Sequence, residues 1–98
     1  MPHPLEVFKR IDPAVCQQVD NANEFAMADG ALPKKIKLLI AMALDAAAGT
    51  ADGVKSLAQA AVKAGASKEE IAEALRVAQY ISGVGSTYTA GRALADMF

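Results

Sequence analysis

Thiol and imidazole are scarce in this chain: among 98 residues there is one cysteine, Cys16, and one histidine, His3. A lone cysteine cannot close an internal disulfide, so packing must hold the fold, and a reducing cytoplasm is the expected compartment. These two residues are also the whole supply of thiolate and imidazole ligands. That excludes a His/Cys metal centre and leaves only a carboxylate site for a hard cation, so no metal and no cofactor is expected. Tryptophan is absent, and the aromatics are three Phe and two Tyr. Neither sign of charge dominates: ten basic residues stand against eleven acidic ones, for a net charge of −1. Without a basic stripe or an aromatic platform, nucleic acid is not an expected partner. The longest apolar run is well short of the ~20 residues that a membrane span needs, so no membrane partner is expected either. The start, Met-Pro-His-Pro-Leu-Glu, lacks a basic region followed by an apolar core, the pattern of a secretory leader. There is no internal repeat, low-complexity tract or long linker, and a chain of this length reads as one domain, residues 1–98.

What the chain has in quantity is alanine, 22 residues within an apolar fraction of 53%. Alanine has the best helix propensity and lets helices approach closely, which favours an all-α fold. A chain this short has too little interior for that much apolar surface. The excess predicts burial against further copies of the chain.

Leu32–Gly65 is the segment around which the helices are organised. Pro33 suits a first helical turn, and Lys34, Lys35 and Lys37 make the entry polar. From Leu38 to Leu44 the sequence Leu-Leu-Ile-Ala-Met-Ala-Leu has no polar side, so a helix over 33–48 must be covered all round. Gly49 and Gly53 break the pattern, and a second helix over 51–64 turns Val54, Leu57, Ala58, Ala61 and Val62 inward before Gly65 stops it. Upstream, Leu5, Phe8 and Ile11 share a short first helix. Asp12-Pro13 then reads as an N-cap and N1 proline opening a helix towards Asp29, with Val15, Val19, Ala22, Phe25 and Ala26 on one buried face. Downstream, Ser67-Lys68-Glu69-Glu70 is a capping box. It opens a fifth helix with Ile71, Leu75, Ala78 and Tyr80 or Ile81 inward. Gly83-Val84-Gly85 interrupts, and a sixth helix over 86–96 carries Ala90 and Leu94, with Met97 just beyond, on one side.

Leu-Pro-Lys-Lys, the long apolar helix, Gly-Thr at the corner and Ala64-Gly65-Ala66-Ser67-Lys68-Glu69-Glu70-Ile71 together resemble the carboxymuconolactone decarboxylase family, which includes the alkylhydroperoxidase D-like proteins. The resemblance spans residues 24–95. It implies a bundle of about six helices, alkylhydroperoxidase D-like, assembled as a trimer or hexamer. Peroxidase members carry Cys-x-x-Cys-x-x-x-His at this corner and a Glu on the preceding helix. In register, the cysteines fall on Thr50 and Gly53, the histidine on Leu57 and the glutamate on Leu38. A thiol peroxidase needs a nucleophilic thiolate, a resolving thiol and a base, and none of these groups is present. Four substitutions, Leu38→Glu, Thr50→Cys, Gly53→Cys and Leu57→His, are expected to rebuild the relay on the same backbone. The resemblance leaves two functions open. One is an enzyme acting on a small carboxylated or lactone substrate without thiol chemistry; the other is a catalytically silent binding or scaffold protein.

The polar groups nearest the corner are Asp45, Thr50, Asp52 and Lys55. Asp52 and Lys55 have the i,i+3 spacing of a surface ion pair. The functional reading makes Asp45 a general base in a pocket, with Thr50 and Lys55 binding an anionic substrate and Asp52 contributing. Tyr80 is a further binding candidate, beside a cluster of Ser82, Ser86, Thr87 and Tyr88 around Gly83-Val84-Gly85, where glycines before a helix start can expose amides to an anion. A close helix crossing explains those glycines equally. Cys16 lies on an apolar helix face and reads as a small buried hydrophobe. His3 reads as a solvated histidine in the terminal segment.

Overall fold

The computed structural model describes residues 3–98, which form six α-helices and no strand. Two compact units are present, one ending at Gly30 and the other spanning Ala31–Phe98.

In the first unit α1 (Glu6–Ile11) packs on α2 (Pro13–Met27) across Asp12. The Asp12 N–H donates to the Phe8 carbonyl at 2.8 Å, and its own carbonyl accepts from the Val15 amide at 3.0 Å. Pro13 occupies N1 as expected, but the Asp12 carboxylate makes no capping bond. Its ψ of 81° falls short of the extended backbone from which a capping side chain reaches the N2 and N3 amides. Extended Ala28 stops α2 at Met27, before Asp29. The expected buried face of α2 does not form: Val15 and Val19 are half-buried, while Ala22 and Ala26 are exposed. Phe25 is 89% exposed. A six-residue α1 is too short to cover a fifteen-residue helix.

The second unit is built around α3 (Lys34–Ala48), which contacts α4 (Ala51–Lys63), α5 (Lys68–Ser82) and α6 (Val84–Leu94). Its inner face carries Leu38, Leu39, Met42 and Ala46. Against these stand Val54, Ala58 and Ala61 of α4, Ile71 and Ala78 of α5, and Ala90 and Ala93 of α6. Small alanines on the facing helices let the axes approach. Three larger side chains fill the centre: Met42 and Val54 at 0% exposure and Ile71 at 2%. Each such burial stabilises by about 1.5–3 kcal/mol.

Three neighbours cover only one side of α3. The helix expected to be enclosed all round leaves Ile40 46% and Leu44 65% exposed. On α5, Tyr80 and Ile81 point outward at 85% and 78% exposure, so neither belongs to the inner face proposed for that helix. Pro33 takes an extended backbone as the N-cap of α3 rather than entering its first turn.

Helix ends follow the glycines. Left-handed Gly49 (φ 80°) stops α3, and Gly65 (φ 103°) stops α4. After each, the chain folds back in the same way: the Thr50 amide donates to the Asp45 carbonyl and the Ala66 amide to the Ala61 carbonyl, both at 2.9 Å. The capping box forms as read: Ser67 Oγ accepts from the Glu70 amide at 3.1 Å, and Glu70 Oε1 accepts from the Ser67 amide at 2.9 Å. Glu70 Oε2 also holds Lys35 Nζ at 2.9 Å, joining the starts of α3 and α5. Only Gly83 lies outside a helix in the Gly-Val-Gly stretch. The sixth helix starts at Val84, two residues earlier than expected, and ends at Leu94.

Candidate functional site

The corner between α3 and α4 is set by Gly49, which turns the chain so that Thr50 becomes the N-cap of α4. Thr50 is exposed and its hydroxyl makes no capping bond. Asp45, one turn before the end of α3, is half-buried, and its carboxylate folds over the Cα of Gly53. A Cβ built on Gly53 would lie 2.0 Å from Asp45 Oδ2 and 3.3 Å from the Thr50 methyl. The glycine is therefore what gives the carboxylate its place against the first turn of α4, where the helix dipole favours negative charge.

Lys55 turns away from this carboxylate. Its Nζ meets Asp96 Oδ2 at 2.8 Å, tying α4 to the stretch after α6. The i,i+3 pair expected between Asp52 and Lys55 is not made, because Asp96 offers the ammonium a closer partner from another element. The Lys55 hydrogen bond, reinforced by its charge, holds the Asp96 carboxyl below its ordinary range. Around this pair opens a cleft of about 360 Å³, lined by Ala51, Asp52 and Lys55 of α4 and by Arg92, Ala93, Ala95 and Asp96.

Among the five residues singled out in sequence, Asp52 and Lys55 line that cleft, while Asp45 and Thr50 stand together at Gly53 and are not part of its wall. Tyr80 lies on the exposed side of α5, also outside the cleft wall. Arg92 and Asp96 were not visible as candidates: Asp96 is 41 positions from its partner Lys55, and only the α4–α6 contact brings them together. Among the described residues Arg92 has no ion-pair partner. The hydroxyls near Gly83 are used locally: Ser82 Oγ donates to the Ala78 carbonyl at 2.7 Å and Ser86 Oγ to the Gly83 carbonyl at 2.8 Å. Thr87 Oγ1 pairs with the Gln79 side chain. Cys16 is half-buried with its thiol 3.7 Å from the Leu5 carbonyl, and exposed His3 accepts from the Leu5 amide at 3.1 Å. No cluster of three or more metal-ligating side chains occurs among the described residues. No helix among them is long and apolar enough to cross a membrane.

The family model for the carboxymuconolactone decarboxylase family matches residues 13–96. The chain belongs to that family. No curated protein and no solved structure matches it.

In the register that the resemblance implies, the four relay positions are Leu38, Thr50, Gly53 and Leu57, none of which carries a thiol, carboxylate or imidazole. Leu38, at the glutamate position, is 5% exposed in the core. Leu57 and Gly53 are half-buried and Thr50 is exposed. The four-substitution route back to a relay meets two obstacles. A glutamate at position 38 would be a charge in the core, costly without a partner. A cysteine at position 53 would displace the Asp45 carboxylate.

Proposed function

We propose that this carboxymuconolactone decarboxylase family protein binds a small carboxylated or lactone compound in the α4–α6 cleft and does not process it by thiol chemistry. The observation that carries the reading is the guanidinium of Arg92, without an ion-pair partner among the described residues, in a cleft where Lys55 is already neutralised by Asp96. A planar guanidinium holds a carboxylate through two parallel hydrogen bonds, which suits it to anchor such a ligand. The adjoining alanines, Ala51, Ala93 and Ala95, leave room for a small apolar body. Asp52 and Asp96 disfavour a ligand carrying several negative charges, so a monocarboxylate fits best.

Two-dimensional NMR of the protein titrated with small monocarboxylates and γ-lactones tests this. Shift changes should cluster at residues 51–55 and 92–96, and Arg92→Ala should weaken carboxylate binding about tenfold or more, the loss of one charge-assisted contact. A titration that leaves these residues unmoved contradicts the proposal. It would favour the second reading, a silent scaffold of the same fold, which draws on the core burial of Leu38 where the peroxidases have their glutamate.

A further inference from the structure

A groove of about 410 Å³ lies between the first half of α5 and the chain that leaves α6. Ile71, Ala72 and Leu75 form one wall, and Leu94 and Phe98 form the other. Ile71 is 2% exposed, Leu75 and Leu94 are half-buried, and Phe98 remains 62% exposed. Two charged residues complete the lining, Lys68 and Glu69, both in the first turn of α5. Lys68, Ile71, Ala72 and Leu75 stand at i, i+3, i+4 and i+7, so the lysine heads the apolar stripe, while Glu69 sits one step round the helix. Among the described residues neither Lys68 nor Glu69 has an ion-pair partner, whereas Glu70 beside them is held by Lys35 and the Ser67 amide. The groove shares no residue with the α4–α6 cleft.

We propose that this groove binds the monoanion of a medium-chain fatty acid, with the alkyl chain between the apolar walls and the carboxylate on Lys68. Its size and lining are those of a small-molecule site, a concave and mostly apolar surface with a charged group to fix orientation. A chain lying there also covers the exposed Phe98 ring, so apolar surface leaves water on both partners. Charge sets the head group. An anion on Lys68 lies at the start of α5, where the helix dipole favours it, and a cation there would meet the dipole with the wrong sign. Glu69 stands against a second negative charge, which limits the ligand to one carboxylate. With no other hydrogen-bonding side chain in its walls, the groove has nothing to hold a hydroxylated or peptide ligand.

Two-dimensional NMR of the full chain titrated with hexanoate, octanoate and decanoate reads the outcome. Shift changes should centre on residues 68–75, 94 and 98, with residues 51–55 unmoved. Binding should tighten about fourfold per added methylene, the transfer free energy of one CH2 group. That series needs no variant, so it stands whatever a substitution does to folding. Lys68→Glu should weaken octanoate about tenfold or more, the loss of a charge-assisted contact, and leave 1-octanol binding unchanged. Phe98→Ala should weaken both. Both side chains are exposed, and circular dichroism should show the helices retained in each variant. Octylammonium binding as tightly as octanoate, or an affinity indifferent to chain length, would overturn the proposal. So would octanoate shifts confined to residues 51–55 and 92–96, which would hand the ligand to the α4–α6 cleft. Shifts at residues 68–75 that grow with protein concentration alone would also overturn it, since another chain would then fill the groove. Because the two sites share no residue, failure here leaves the reading of the α4–α6 cleft standing.

Discussion

At the scale of single residues, the corner depends on Gly53 and Asp45 as a pair. A methyl group at position 53 cannot coexist with the Asp45 carboxylate where it lies, at 2.0 Å from Oδ2. The carboxylate is the end of a flexible side chain, so Gly53→Ala is expected to rotate it out rather than unfold the corner. The alanine gains up to about 1 kcal/mol of helix propensity but forfeits the carboxylate's 0.3–1 kcal/mol at the start of α4. In an Asp45→Ala background the second term is already gone. Gly53→Ala should then stabilise, and urea denaturation of the four proteins in the cycle should show a coupling of about 0.5 kcal/mol or more. Additive effects would mean that the two residues do not meet. The sequence marked both residues by proximity to the corner. It did not show that they exclude each other, because that depends on the rotamer of one side chain.

Among the elements, α5 is the one whose start is most fully specified. Ser67→Ala removes the acceptor for the Glu70 amide and should cost about 1 kcal/mol in denaturation. Glu70 also gives the protein an acid-sensitive joint. The Ser67 backbone amide, and after it the Lys35 hydrogen bond, lower its pKa from an ordinary 4.5. A carboxylate with a depressed folded pKa contributes stability that is complete above the unfolded value. That contribution is lost as pH falls through the lower, folded one. The midpoint of thermal unfolding should therefore drop as pH falls below about 4.5, and Glu70→Gln should flatten part of that limb. The capping box was legible because it is four consecutive residues. The Lys35 contact was not, since 35 positions separate the partners. Helix existence was legible throughout from period and punctuation. The exposures of Phe25, Tyr80 and Ile81 were not, because an apolar stripe tells which side seeks cover and not whether the same chain supplies it.

For the whole molecule, the all-helical architecture is what family membership and the structure both carry. Alanine-lined contacts between α3, α4, α5 and α6 need no thiol, and the glycine stops at Gly49 and Gly65 shape the turns before and after α4 whatever side chains follow. At the positions the resemblance would give to a relay, Leu38 is packed in the core and Gly53 lies beneath a carboxylate. This division explains why the family was readable in the sequence and the α4–α6 cleft was not. Fold signals are local and periodic, whereas the cleft draws Arg92 and Asp96 from the far end of the chain. The most direct measurement is hydroperoxide consumption by the purified protein with a dithiol reductant. Reduction through a disulfide needs one sulfur to attack and another to resolve the sulfenic acid, and Cys16 is the chain's only thiol. The expected rate equals the no-protein background and does not change in Cys16→Ser; saturable turnover by the native chain would contradict the account.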